Sequence, residues 1–133
     1  MDIITISTAS REEFVDITSR VHSLVAEKGW KDGAVLLFCM HTTGGLTINE
    51  SADPSVVRDI VTSLRGLIPH RGDYTHAEGN SDAHIKSSLM GPDLMVIVQN
   101  GRLNLGTWQG IFFTEFDGPR TRKVAVRWLE QGA

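Results

Sequence analysis

The chain has 133 residues, 41% of them hydrophobic, with 13 basic and 16 acidic side chains giving a formal charge of −3. That length suits one domain with a core of its own, and the charge balance, with no basic stripe, argues against a nucleic-acid partner. No window reaches the length of a membrane span, and Met1-Asp2-Ile3-Ile4-Thr5-Ile6 has neither the basic region nor the apolar run of a leader, so the expected compartment is the cytoplasm.

Residues 2 to 8 alternate and carry β-branched side chains, which predicts a first strand. Ser10 followed by Glu13 has the form of a capping box. Behind it Phe14, Ile17, Val21, Leu24 and Val25 recur at helical spacing, predicting a helix over 11–28 closed by Gly29. Val35-Leu36-Leu37-Phe38-Cys39-Met40 is wholly apolar and predicts a strand buried on both faces. Cys39, the single cysteine, reads there as a small inert hydrophobe.

A polar run follows, His41-Thr42-Thr43-Gly44-Gly45, in which two glycines let the chain turn before a short strand at Leu46-Thr47-Ile48. Asp53-Pro54 predicts a helix start, with a core stripe of Val57, Ile60, Val61 and Leu64 and an end before Pro69. Residues 71–83 lack periodicity and form the longest loop, and an ordered loop of that length is more often functional than filler. A short helix is expected over 83–90, ended by Gly91-Pro92.

The remainder reads as a β-meander: Leu94 to Gln99, an Asn100-Gly101 hairpin turn, Trp108 to Phe116, and Arg122 to Trp128. Along Trp108–Phe116, Trp108, Phe112 and Phe116 face one way, Ile111 and Phe113 the other. Both faces of that strand want cover, which predicts a second sheet or a second subunit.

Three chemistries suit the polar stretches. His41, His76 and His84 offer three imidazoles with an open fourth position, the donor set of a zinc-like divalent ion. The spacing alone is weakly specific, since no HExxH or CxxC accompanies it, and a solvated His76 with His84 in a helix cap is the plain alternative. Glu50, Glu78, Asn80 and Asp82 would orient such imidazoles. An anion site is the second chemistry: Thr42, Thr43 and the glycines as a nest, Lys86, Ser87 and Ser88 at a helix start, and Arg102, Arg120 and Arg122 from hairpin ends. No P-loop or dinucleotide fingerprint is present. The third, a Ser87 or Ser88 nucleophile with His84, lacks a nucleophile elbow. His22 reads as a surface or boundary residue, and His70 as a side chain that favours the negative end of the helix dipole.

The run His41-Thr42-Thr43-Gly44-Gly45-Leu46-Thr47-Ile48-Asn49-Glu50, then Asp82-Ala83-His84-Ile85-Lys86-Ser87-Ser88-Leu89 with Gly91, resembles the YjbQ family. So do Gly101 to Ile111 and Glu115-Phe116-Asp117-Gly118-Pro119-Arg120, so that the likeness spans nearly the whole chain, residues 1–133, as one domain. The resemblance implies a single-domain α+β fold: a β-sandwich of mainly antiparallel strands flanked by helices, assembled as a homotrimer. Members of that family have been associated with a secondary thiamine-phosphate synthase activity, which joins a pyrimidine diphosphate to a thiazole phosphate and releases pyrophosphate. On that reading a divalent ion (zinc or similar) sits on His41, His76 and His84. Glu50, Asn49 and Lys86 are the catalytic candidates, and Thr42, Thr43, Ser87, Ser88, Arg102 and Arg120 surround a small phosphorylated substrate. The alternatives are a metal- or small-anion-binding module with incidental activity, and a metal-dependent hydrolase.

Overall fold

The computed structural model describes residues 1–132, which form eight strands and three helices. In chain order they are β1 (Asp2–Ser7), β2 (Glu13–Asp16), α1 (Thr18–Lys28), β3 (Gly33–Cys39), β4 (Gly44–Glu50) and α2 (Pro54–Leu67). Then come α3 (Ser81–Met90), β5 (Asp93–Gln99), β6 (Arg102–Leu103), β7 (Gln109–Glu115) and β8 (Thr121–Glu130). All the pairings are antiparallel. One sheet runs β1-β8-β3-β5-β6 and the other β2-β7-β4.

The C-terminal third is therefore not a meander. β6 pairs for only two residues, after which the chain crosses to the second sheet as β7 and returns as β8 between β1 and β3. The Asn100-Gly101 turn itself is as expected, with φ of 52° and 76°. A second departure lies near the N-terminus. Glu13 Oε1 does accept the backbone N–H of Ser10 at 3.4 Å, but no helix follows it. Phe14 and Val15 pair with Thr114 and Phe113 and supply β7 with an edge partner. The helix starts only at Thr18, whose N–H and hydroxyl both donate to Asp16 Oδ1 at 2.9 and 2.6 Å. Local spacing cannot separate these outcomes, because Phe14 and Ile17 fit an apolar stripe in either conformation. The far end of α1 is as predicted, closed by Gly29 at a left-handed φ of 67°.

α2 begins as expected: Asp53 Oδ1 accepts the Ser55 N–H at 2.9 Å, with Pro54 in the first turn. Its stripe of Val57, Ile60, Val61 and Leu64 is only half-buried, however, so α2 lies on the body of the protein and not inside it. α3 starts at Ser81, two residues earlier than expected, and packs on β4.

The core lies between the two sheets. Ile4, Ile6, Val35, Leu37, Val96, Val98, Val124 and Val126 from the first meet Leu46, Ile111 and Phe113 from the second, and Val21 and Val25 of α1 close it. The glycine pair of the polar run serves this contact. Neither glycine has positive φ. A Cβ on Gly44 would come within 2.6 Å of the Phe113 ring, and one on Gly45 within 2.8 Å of the Gly91 carbonyl. Close approach, not turning, requires glycine at both positions.

Two expectations about apolar faces exchange places. β7 is covered on both faces within one chain: Ile111 and Phe113 are buried in the core, and Phe112 and Phe116 pack with Phe14 at ring distances of 6.0 and 6.3 Å. It gives no argument for a second subunit. Trp108 falls outside the strand and is 62% exposed. β3, expected to be buried on both faces, is buried only through Val35, Leu37 and Cys39, while Phe38 is 47% exposed. Ile3, Met95, Ile97 and Leu129 are exposed on the neighbouring strands of that sheet. No described helix is long and apolar enough to cross a membrane.

Candidate functional site

Antiparallel register sorts the polar residues to two ends of the molecule. The last residues of β1, β3 and β7 and the first of β4, β5 and β8 gather at one end. There the turn after β3, the start of α3 and the turn between β7 and β8 enclose a cleft of about 310 Å³. Into it come His41, Thr42 and Thr43 from the first of these, Glu78, Asn80 and His84 from the second, and Asp117 and Arg120 from the third, with Arg122 from the start of β8.

The floor of the cleft is a buried ion pair. Arg122 reaches inward from β8 and donates through Nε to Glu115 Oε2 at 2.7 Å, with a second donation from Nη2 to Oε1. The same Nη2 donates to Thr43 Oγ1 at 2.9 Å, and Thr8 Oγ1 donates to Glu115 Oε2 at 2.8 Å. Burial alone would raise the Glu115 pKa. The bonds from Arg122, the Asp117 N–H and Thr8 outweigh it and hold the carboxyl below its ordinary range. A paired floor of this kind fixes the backbone on both sides of the cleft.

His41 takes its state from that floor. Burial, the Arg122 guanidinium and smaller contributions from Arg120 and Lys123 lower its pKa, against the opposing pull of Glu115, so at neutral pH the ring is uncharged. Its Nε2 accepts the Lys123 N–H at 2.8 Å, which leaves the ring proton on Nδ1 as a donor. Arg120 is half-exposed and braced on Asp117, donating from Nε to the carbonyl at 2.9 Å and from Nη2 to Oδ2 at 3.3 Å. Asn80 Nδ2 donates to the same Oδ2 at 2.8 Å, which fixes the amide and leaves the buried Asn80 Oδ1 without a partner. Cys39, at the end of β3, is buried, and burial raises its thiol pKa, as an inert role requires.

The three predicted histidines are only partly brought together. His76 and His84 meet edge to face, with ring centroids 5.3 Å apart, and His84 shares the cleft with His41. Among the described residues no group of three His, Cys, Asp or Glu side chains is placed to hold a metal ion. The Nε2 lone pair of His41 is already engaged by the Lys123 amide. The donor set of a single chain therefore does not fit a three-histidine ion.

Several predicted partners lie elsewhere. Asn49 and Glu50 end β4, five and six residues beyond Gly44, which at about 3.4 Å per residue puts them roughly 17 and 20 Å from the cleft end. Arg102 pairs with Gln99 at the same far end of the other sheet. Ser87 and Ser88 fall in the last turns of α3 because the helix starts at Ser81, and Ser88 Oγ donates to its own helix at His84 O. Lys86 is fully buried, donating to Asp82 Oδ2 at 3.0 Å and Glu12 Oε2 at 2.9 Å. Arg11 and Arg65 hold the same two carboxylates from outside. Lys86 is thus a fastener of α3 and does not line the cleft. Sequence reasoning missed Asp117 and Glu115 as site residues. Their signals were the charge density of Glu115 to Arg120 and the place of that stretch in the family resemblance, neither of which distinguishes a turn from a site. It also passed over a cavity of about 540 Å³ beside α1, where Asp16, Thr18 and His22 face Leu103 and Leu105.

The chain matches the family model described as "UPF0047 protein YjbQ-like" over residues 2–131. A UPF0047 protein of Methanocaldococcus jannaschii is 55% identical over 92% of this chain and 88% of its own length. The UPF0047 protein YugU of Bacillus subtilis is 48% identical over 95% and 96%. The crystal structure of a YjbQ/UPF0047 family protein from Clostridium acetobutylicum superposes with a TM-score of 0.95 at 53% identity, covering 97% of this chain and 100% of that one. A conserved hypothetical protein from Thermus thermophilus gives 0.90 at 45% identity, with coverage of 97% and 100%. On sequence over nearly its whole length, and on fold, the chain belongs to the YjbQ-like UPF0047 family.

Proposed function

We propose that the cleft binds a small phosphorylated substrate and that the protein acts on it as a transferase. The weak thiamine-phosphate synthase reaction implied by the resemblance is the specific form to test. One observation carries the reading: Arg120, braced on Asp117, stands beside a neutral His41 whose Nδ1–H is a donor, at the mouth of a polar cleft. Asp117 and Glu115 are already engaged by arginines, so neither opposes an anion with its full charge.

In the synthase reaction negative charge builds on the pyrophosphate oxygens as the group departs. Fixed donors aimed at that charge supply the largest share of such catalysis. Arg120 and His41 are those donors here. Glu78, exposed on the cleft wall, accepts hydrogen bonds from the rest of the substrate. Replacing Arg120 with alanine should raise the KM for the phosphorylated substrate or lower kcat/KM by about tenfold to a hundredfold, the measure of one lost charge-assisted contact. Measurement of pyrophosphate release from the two thiamine precursors checks this, and equal rates in wild type and variant would remove Arg120 from the site.

The assembly follows the same resemblance: two sheets forming a sandwich, in a cytoplasmic homotrimer. What supports an oligomer is the outer face of the five-stranded sheet, where Ile3, Phe38, Met95, Ile97 and Leu129 form an exposed apolar surface. Sedimentation equilibrium should give three times the chain mass. In Phe38→Glu the species should become a monomer, and a wild-type monomer at micromolar concentration would overturn the assembly.

A further inference from the structure

A second cleft, of about 470 Å³, opens on the other side of His84. Its walls include the rings of Tyr74 and His76 and the side chain of Ile85, with Asp73, Thr75 and Ser81 between them and His84 lining both clefts. The wall contributed by the long loop is built, not loose. The Tyr74 hydroxyl donates to Pro69 O, the Tyr74 N–H to Gly72 O at 2.9 Å, and the His70 ring nitrogen to Gly79 O at 3.0 Å. Tyr74 is the half-buried residue in an otherwise exposed stretch from Arg71 to Gly79. The His76 and His84 rings stand at 88° to each other.

We infer that this second cleft is a ring subsite: it takes a planar aromatic or heteroaromatic ring whose phosphate reaches past His84 to Arg120 and His41. This rests on the reading of the polar cleft as the phosphate site and adds which residues set specificity, namely Tyr74, His76 and Ile85. The two clefts differ in character in the way that such a ligand requires. One is lined by charged and amide groups and suits only the anionic end. The other offers a tyrosine ring, two imidazoles at right angles and an aliphatic side chain, a setting in which a flat ring finds both stacked and edge contacts. His84 lines both clefts, so a ligand that spans them passes over its ring.

The test compares the affinities of phenyl phosphate and inorganic phosphate by calorimetric titration. Phenyl phosphate should bind wild type about tenfold more tightly, the size expected for one aromatic contact set with its buried area. Because Tyr74 also ties the loop to Pro69, two variants are used, Tyr74→Ala and the helix-surface change Ile85→Gln. In each, the ratio of the two affinities should fall towards one. Equal affinities in wild type, or a ratio unchanged in both variants, would overturn the ring subsite while leaving the phosphate reading in place. If neither compound binds, the phosphate reading fails and takes the ring subsite with it.

Discussion

Replacing Glu115 with alanine should destabilise the protein by about 3–5 kcal/mol, because it strands the Arg122 guanidinium in the core without its partner. For a chain of this size that is a fall in Tm of roughly 10–20 °C. Arg122 and Glu115 are both essentially unexposed, and the pair sits where the two sheets meet, with Thr8 and Thr43 completing its bonds. Differential scanning calorimetry checks the value, and a change below about 1 kcal/mol, typical of surface pairs, would contradict the buried placement.

The same carboxylate sets an acid limit. Glu12, Asp82 and Glu115 are each pushed up by burial and pulled down further by hydrogen bonds from Lys86 and Arg65, from Arg11 and Lys86, and from Arg122, so each ends below its ordinary value. A depressed carboxylate contributes stability that is fully present above its unfolded pKa, near 4, and is lost as pH falls through the lower folded value. Tm should therefore be steady from neutrality to about pH 5 and fall steeply below about pH 4. Glu115→Gln, already destabilised, should fall less steeply over that range.

Replacing Lys86 with methionine should cost less than the loss of Glu115, about 2–3 kcal/mol, although the side chain is just as buried. Asp82 keeps its paired contacts with Arg11 at 3.0 and 3.1 Å, and Glu12 keeps Arg65 at 3.1 Å, so neither carboxylate is left alone. The consequence separates two roles. As a fastener of α3, Lys86 can be lost while the folded protein still binds phosphate through the cleft. A Lys86 acting on substrate would lose binding or turnover without a comparable loss of stability. Chemical denaturation and phosphate titration of the same variant decide between them.

What was legible in the sequence was local. Asp53-Pro54, Asn100-Gly101 and Gly29 each carry the chemistry of the turn or cap they form, and the apolar run at β3 announces a strand without reference to the rest of the chain. What was not legible depended on partners far along the chain. Phe14 and Val15 become a strand because β7, about a hundred residues later, has an open edge. β8 inserts between β1 and β3, a topology that no pattern within residues 94–128 encodes. The site divides in the same way. The His41 run and His84 were visible because polar residues crowd a short segment. Lys86 and Glu50 shared those segments without sharing the cleft: helix rotation turns Lys86 inward, and an extended strand carries Glu50 away. Glu115 and Asp117 stayed hidden because their role arises only when β7 and β8 bring their turn against the start of α3.

The proposed phosphate site is the cleft at the His41 end of the sheets, and backbone amide NMR during titration with pyrophosphate tests it most directly. Shifts are expected at His41–Thr43, Asn80–His84 and Asp117–Arg122, reduced in Arg120→Ala. Shifts confined to Asp16, His22 and Leu103, around the larger cavity beside α1, would contradict it.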